Sequence, residues 1–204
     1  MTLSLARLIP GSLRQWHWIS SALCLIGMLG FAITGITLNH AGVIPAVPQV
    51  TSVETTVPAD LLAQLSEEED VSSRVPRTLR SWLASEQRIY LPPTKQIEWS
   101  EEEIYLAMPQ PGADAWLSLD LASGELIYEK TDRGWVAYFN DLHKGRDTGT
   151  AWRWFLDVFA VACVVFSMTG LLLLQKQALR RPSTWPMVGL GVLIPLLLIL
   201  LFIH

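Results

Sequence analysis

Three long apolar stretches, at residues 18–38, 154–174 and 185–203, constrain this chain more than any other feature. The first carries no charge and the second only Asp157. About 20 helical residues at 1.5 Å rise each cross a bilayer core, so each stretch is long enough to span. Hydrocarbon holds no water to satisfy backbone groups, so each span must be a helix. The first apolar run exceeds a typical signal-peptide core, and Ile44-Pro45-Ala46 is a poor cleavage site. It therefore reads as a retained anchor.

Basic residues set the expected orientation. Arg7 and Arg14 precede the first span, and Lys176, Arg180 and Arg181 lie between the second and third. Both flanks lack acids and belong in the cytoplasm. Residues 41–151 hold nine basic and 18 acidic residues, so they are expected on the far side of the membrane. Trp16, Trp18, Trp152, Trp154 and Trp185 mark the interfaces. Only 17% of residues are charged and the net charge is −4, which excludes a disordered chain or a nucleic-acid partner. Two cysteines exclude a disulfide-rich scaffold and a cysteine-ligated zinc or iron–sulfur centre. Cys24 and Cys163 fall inside spans and read as inert packing residues.

The middle of the chain reads as a small α+β domain. Residues 41–58 are rich in Pro and Val and read as extended. Helices are expected over 59–69 and 76–86, the latter with Leu79, Trp82 and Leu83 on one face. Strands are expected over 88–91, 103–108, 114–121 and 125–130, the last two joined at Ser123-Gly124 as a hairpin. Helices beside an antiparallel sheet bury one modest core. From Trp135 the pattern turns helical again. The fold class is thus an α-helical membrane protein with three spans and an exported α+β domain between the first two. Four segments follow: 1–40, the cytoplasmic N-terminus and first span; 41–134, the exported domain; 135–175, an interfacial helix and the second span; 176–204, a cytoplasmic loop and the third span. The sequence has no phosphate loop, nucleophile elbow or His-Glu-x-x-His helix. The acidic runs at 67–70 and 101–103 read as solvated surface.

All four histidines, His17, His40, His143 and His204, lie at membrane boundaries. His17 opens the first span and His40 closes it 23 residues later, about 34 Å away by helical rise. His143 precedes the second span, so His40 and His143 are expected to approach each other at its outer end. Two imidazoles on neighbouring helices can hold one haem iron from opposite faces, an arrangement suited to electron transfer. Lys144, Arg146 and Arg153 could receive the propionates. Polar residues at helix ends also need no ligand to explain them. His17 lacks a histidine opposite it and could ligate only with another residue type or across a homo-oligomer; His204 reads as a helix-end residue. Asp157, costly inside a span, is expected to pair with Arg153 one turn earlier, or to accept a proton coupled to redox change.

Several of these residues together resemble the PepSY-associated transmembrane proteins. They are Asn140-Asp141-Leu142-His143-Lys144-Gly145-Arg146, Thr148-Gly149, Ser167-Met168-Thr169-Gly170-Leu171, Trp16-His17-Trp18 and Thr34-Gly35. The hairpin from Ala115 to Glu125 is similar to the strand-turn-strand of a PepSY module. The resemblance implies a multi-pass protein of the bacterial inner membrane. Several larger members are haem b reductases of ferric siderophores, in which helix-end histidines ligate haem. That implication maps onto His40 and His143, and more loosely onto His17, as metal ligands. The resulting expectation is a haem b protein passing electrons to a periplasmic acceptor, such as ferric iron in a chelate, with quinol or a partner protein as donor. Two rival readings stay open: a non-enzymatic anchored PepSY module that binds or regulates a periplasmic partner, and an accessory subunit of a metal transporter.

Overall fold

A computed structural model describes residues 11–67, 75–91 and 97–203. Arg7, His204 and residues 68–70 of the first acidic run lie outside the described residues. The chain divides into two compact units, one of Met1–Ala32 with Trp154–His204 and one of Ile33–Arg153. The division falls within two of the long helices.

Three helices are long and apolar enough to cross a membrane: α1 (Leu13–Asn39), α5 (Gly149–Gln177) and α6 (Thr184–Phe202). A short 3₁₀ turn over Ala178–Arg180 follows α5. Most apolar side chains of these helices are exposed, and α6 has no buried residue. Such continuous exposed apolar surface is the form a lipid-covered helix takes, because hydrocarbon rather than protein covers it.

Between α1 and α5 lie β1 (Gln49–Thr56), α2 (Ala59–Glu67), α3 (Arg77–Glu86), β2 (Glu98–Trp99), β3 (Glu103–Ala107), β4 (Ala113–Asp120), β5 (Glu125–Asp132) and α4 (Gly134–Lys144). The strands form one antiparallel sheet in the order β1-β5-β4-β3-β2. Strand residues alternate in and out, so Ile104, Leu106, Leu117, Leu119 and Leu126 bury one face. Leu61 and Leu65 of α2 and Leu79 and Leu83 of α3 complete that core. Tyr105 and Trp116 stack on the opposite face, with ring centroids 6.5 Å apart.

The sequence reading needs one correction here. Residues 88–91 alternate like a strand but pair with no strand among the described residues; Ile89 and Leu91 are buried, Arg88 and Tyr90 exposed. The Ile89 N–H is taken by the Leu83 carbonyl, and Arg88 sits at φ 56°, a left-handed turn off the end of α3. Residues 49–56, read as extended, form the edge strand β1, paired along its whole length with β5.

The β4–β5 hairpin turns through Gly124 at φ 74°, a conformation that favours glycine. The Asp120 carboxylate closes the turn: it accepts the Ser123 backbone N–H at 2.7 Å, the Ser123 hydroxyl at 2.9 Å and the Ala122 N–H at 3.0 Å. These bonds, the Ser123 backbone bond first, hold its pKa below the ordinary carboxylate value. A lowered pKa in the folded state means the turn is fully supported above the ordinary value and loses that support as pH falls through the lowered one. The protection factor of the Ser123 amide, its NMR exchange rate relative to the unstructured rate at the same pH, is therefore expected to fall as pH drops below about 4, the ordinary carboxylate range. Asp120→Asn should abolish that step; an unchanged step would assign it elsewhere.

Candidate functional site

The segment Asn140-Asp141-Leu142-His143, the last full turn of α4, spends each residue on a different neighbour within the Ile33–Arg153 unit. Asn140 is buried, and its side-chain oxygen accepts the Thr37 hydroxyl of α1 at 2.7 Å. Asp141 is buried too. Its carboxylate accepts the Gly112 N–H at 2.9 Å, with Lys144 Nζ at 3.4 Å and Arg133 Nη2 at 3.8 Å. The Leu142 carbonyl accepts the Trp152 indole N–H at 2.9 Å. His143 Nδ1 lies 2.7 Å from the Thr34 hydroxyl of α1.

Two glycines make this packing feasible. Gly112, in the turn between β3 and β4, sits at φ 67°, and a Cβ there would lie 2.6 Å from the backbone of Tyr138 in α4. Gly145 caps α4 in the left-handed conformation at φ 67°. It reverses the chain so that α5 starts at Gly149, with the Thr148 hydroxyl bonded to the Gly145 carbonyl at 3.0 Å. On α1 a Cβ at Gly35 would stand 3.7 Å from the His143 ring, so the imidazole rests on the Thr34-Gly35 dipeptide.

The same arrangement recurs within the other unit. His17 Nδ1 lies 3.0 Å from the Thr169 hydroxyl of α5, and a Cβ at Gly170 would stand 3.3 Å from the His17 ring. The ring stacks on Phe166 at 4.9 Å with 13° between planes. The single Thr169 hydroxyl proton is directed to its own helix, at the Val165 and Phe166 carbonyls 2.7 and 3.0 Å away. Its oxygen therefore accepts from His17, so the proton of that ring sits on Nδ1 and the lone pair on Nε2. Each of the two imidazoles is thus held at Nδ1 by the threonine of a Thr-Gly pair on another helix. Sequence reading found the dipeptides and the histidines but not their pairing. The recurrence of Thr-Gly beside a small helix face was the available signal.

The remaining expected residues are more dispersed. His40 is exposed, and its Nδ1 donates to the Ile36 carbonyl of its own helix at 3.0 Å. It lies six residues beyond Thr34, hence about 9 Å further along the axis and about 120° around it. His143 therefore meets α1 on a face that His40 does not share. Arg146 pairs with Asp147 at 3.4 Å, and Lys144 with Asp141. Arg153 and Asp157 are both exposed on α5, and the expected pair between them is not among the ion pairs of the described residues. Among the described residues there is no cluster of three or more His, Cys, Asp or Glu side chains able to hold a bare metal ion. An open groove of about 500 Å³ runs along α3, lined by Arg77, Thr78, Arg80, Ser81 and Tyr90.

Contrasting two glycines checks the contact between the sheet and α4. Gly112→Ala and Gly124→Ala both place a side chain at positive φ, worth about 1–2 kcal/mol. At Gly124 the nearest obstacle includes the movable tip of Leu62, whereas at Gly112 it is the α4 backbone. Gly112→Ala is expected to lower the thermal unfolding midpoint well beyond Gly124→Ala, read by tryptophan fluorescence of the full chain in detergent. Equal losses would mean that α4 does not pack on this turn.

No curated protein and no solved structure matches the chain. A model of the PepSY_TM-like family matches residues 8–204. That match takes in the three membrane helices, the sheet domain and both imidazole–threonine pairs, and the chain belongs to the PepSY_TM-like family.

Proposed function

We propose that this protein is an inner-membrane haem b carrier that passes electrons to an acceptor on the periplasmic side, where its sheet domain faces. One observation carries the reading: the Thr34 hydroxyl at Nδ1 of His143. Metal-ligating histidines are held in this way, with the second ring nitrogen bonded to a neighbour so that Nε2 points at the metal. His40 donates its Nδ1–H to a backbone carbonyl and so offers Nε2. With its own Nδ1–H given to Thr34, His143 would offer Nε2 as well, the donor set that a six-coordinate haem requires. His40 stands on a different face from the one His143 contacts, but it lies in the turn just past α1 rather than in the helix body. Haem held between two imidazoles supplies one-electron transfer without an open coordination site.

The chain's own residues supply the rest. Thr34 orients His143 beside α1. Lys144, Arg146 and Arg153 place three cations within ten residues of His143, where propionates would need them. The groove along α3 carries Arg77, Arg80 and Tyr90, chemistry that suits an anionic acceptor such as a ferric chelate. A second reading, an anchored recognition module without haem, is favoured by the firm seat of the sheet on α4 through Gly112 and Asp141.

An absorption spectrum separates the two. Protein purified from cells with ample haem supply is expected to show stoichiometric low-spin b-type bands. His143→Ala should remove them, His40→Ala should convert them to a high-spin form, and Thr34→Val should weaken haem retention by about 10–100-fold. A colourless wild-type protein would leave the recognition module as the function. A low-spin spectrum unchanged by His40→Ala would remove His40 as the second ligand.

A further inference from the structure

The chain has two cysteines in 204 residues, one on α1 and one on α5, separated by 139 positions. The side chains of Cys24 and Cys163 lie close enough to interact with each other. Cys24 is fully buried, and Cys163 is partly exposed. The neighbouring contacts show why the thiols meet. One turn beyond Cys24, a methyl group at Gly27 would overlap the ring of Phe159 on α5, so α1 and α5 approach closely there. Phe159 also stacks on Phe31, and His17 stacks on Phe166, at 5.1 and 4.9 Å. Residues 17, 24, 27 and 31 of α1 thus face 166, 163 and 159 of α5 in antiparallel order, and the thiol pair lies inside that seam.

We propose that Cys24 and Cys163 are a redox-active dithiol within the membrane, oxidised to an interhelical disulfide by a membrane quinone. The seven residues from His17 to Cys24 place the pair about 10 Å deeper along α1 than the ring of His17. Water-soluble disulfides and thiols do not reach that depth, whereas a quinone dissolves in it. The partly exposed Cys163 sulfur is the one a lipid-borne ring can approach. The reaction balances without a stranded charge. Two S–H bonds break and one S–S bond forms, and the two electrons and two protons pass to the quinone carbonyl oxygens, giving one quinol. Carrying the protons with the electrons matters, because a lone thiolate in hydrocarbon is strongly disfavoured. The disulfide would lock α1 to α5 across the whole intervening domain. This inference does not depend on haem binding.

The test uses the full chain, reduced, freed of reductant and held in lipid nanodiscs. Decylubiquinone is the probe, because its fully substituted ring does not alkylate thiols. Thiols are counted after denaturation by the gel shift with a maleimide–polyethylene glycol, and quinol is read by absorbance. Quinone is expected to take the count from two to zero, with one quinol formed per chain, a monomeric band without reductant and a linked Cys24–Cys163 peptide by mass spectrometry. Cys24→Ser and Cys163→Ser should each keep one thiol and form no quinol. Two surviving thiols in the wild type, a disulfide between chains, or equal quinol formation by either serine variant would overturn the proposal. The wild-type count decides even where a variant fails to fold.

Discussion

The buried carboxylate of Asp141 is the contact on which the arrangement of this protein's sheet domain depends. A buried charge is tolerated only with partners, and Asp141 has a backbone N–H from the β3–β4 turn and two cations beside it. A hydrogen bond to a charged group is worth about 1.5–3 kcal/mol. This one also fixes direction, because the Gly112 turn fits against α4 only without a side chain. With α4 seated on the sheet in this way, the residues on either side of Asp141 fall into place. Asn140 meets Thr37 and His143 meets Thr34, so one helical turn joins the sheet to the end of α1.

Much of this was legible in the sequence, for physical reasons that differ by element. The three spans announce themselves because a bilayer demands length and apolarity, both one-dimensional properties. The β4–β5 hairpin is legible because Leu117, Leu119 and Leu126 alternate about a glycine turn, and burial of one face preserves that period. The edge strand β1 is not legible. Of its residues only Val53 and Thr55 are even partly covered, so no alternation marks it. Residues 88–91 mislead for the opposite reason: Ile89 and Leu91 point into the core from a segment that never joins the sheet.

The candidate site was half legible. Hydropathy places histidines at membrane boundaries, but it does not say which way round a helix each one faces. Azimuth decides that His143 meets Thr34 and Gly35 rather than the face bearing His40. It also decides that His17, which has no histidine opposite, meets Thr169 and Gly170. The two imidazole–threonine pairs share a layout: each ring lies beside a glycine, and a threonine hydroxyl meets its Nδ1. In the His17–Thr169 pair the direction of the bond follows from the Thr169 proton being spent on its own helix. The thiol pair belongs to the same class of feature, since the meeting of Cys24 with Cys163 rests on helix rotation that composition does not encode.

The central claim is that oriented imidazoles of this membrane protein ligate iron through Nε2. Electron paramagnetic resonance of the ferric protein, loaded with one equivalent of haem in nanodiscs, tests it most directly. The account predicts a low-spin signal typical of two axial imidazoles, replaced in His143→Ala by a high-spin signal. A wild-type spectrum showing only free or high-spin haem would contradict it.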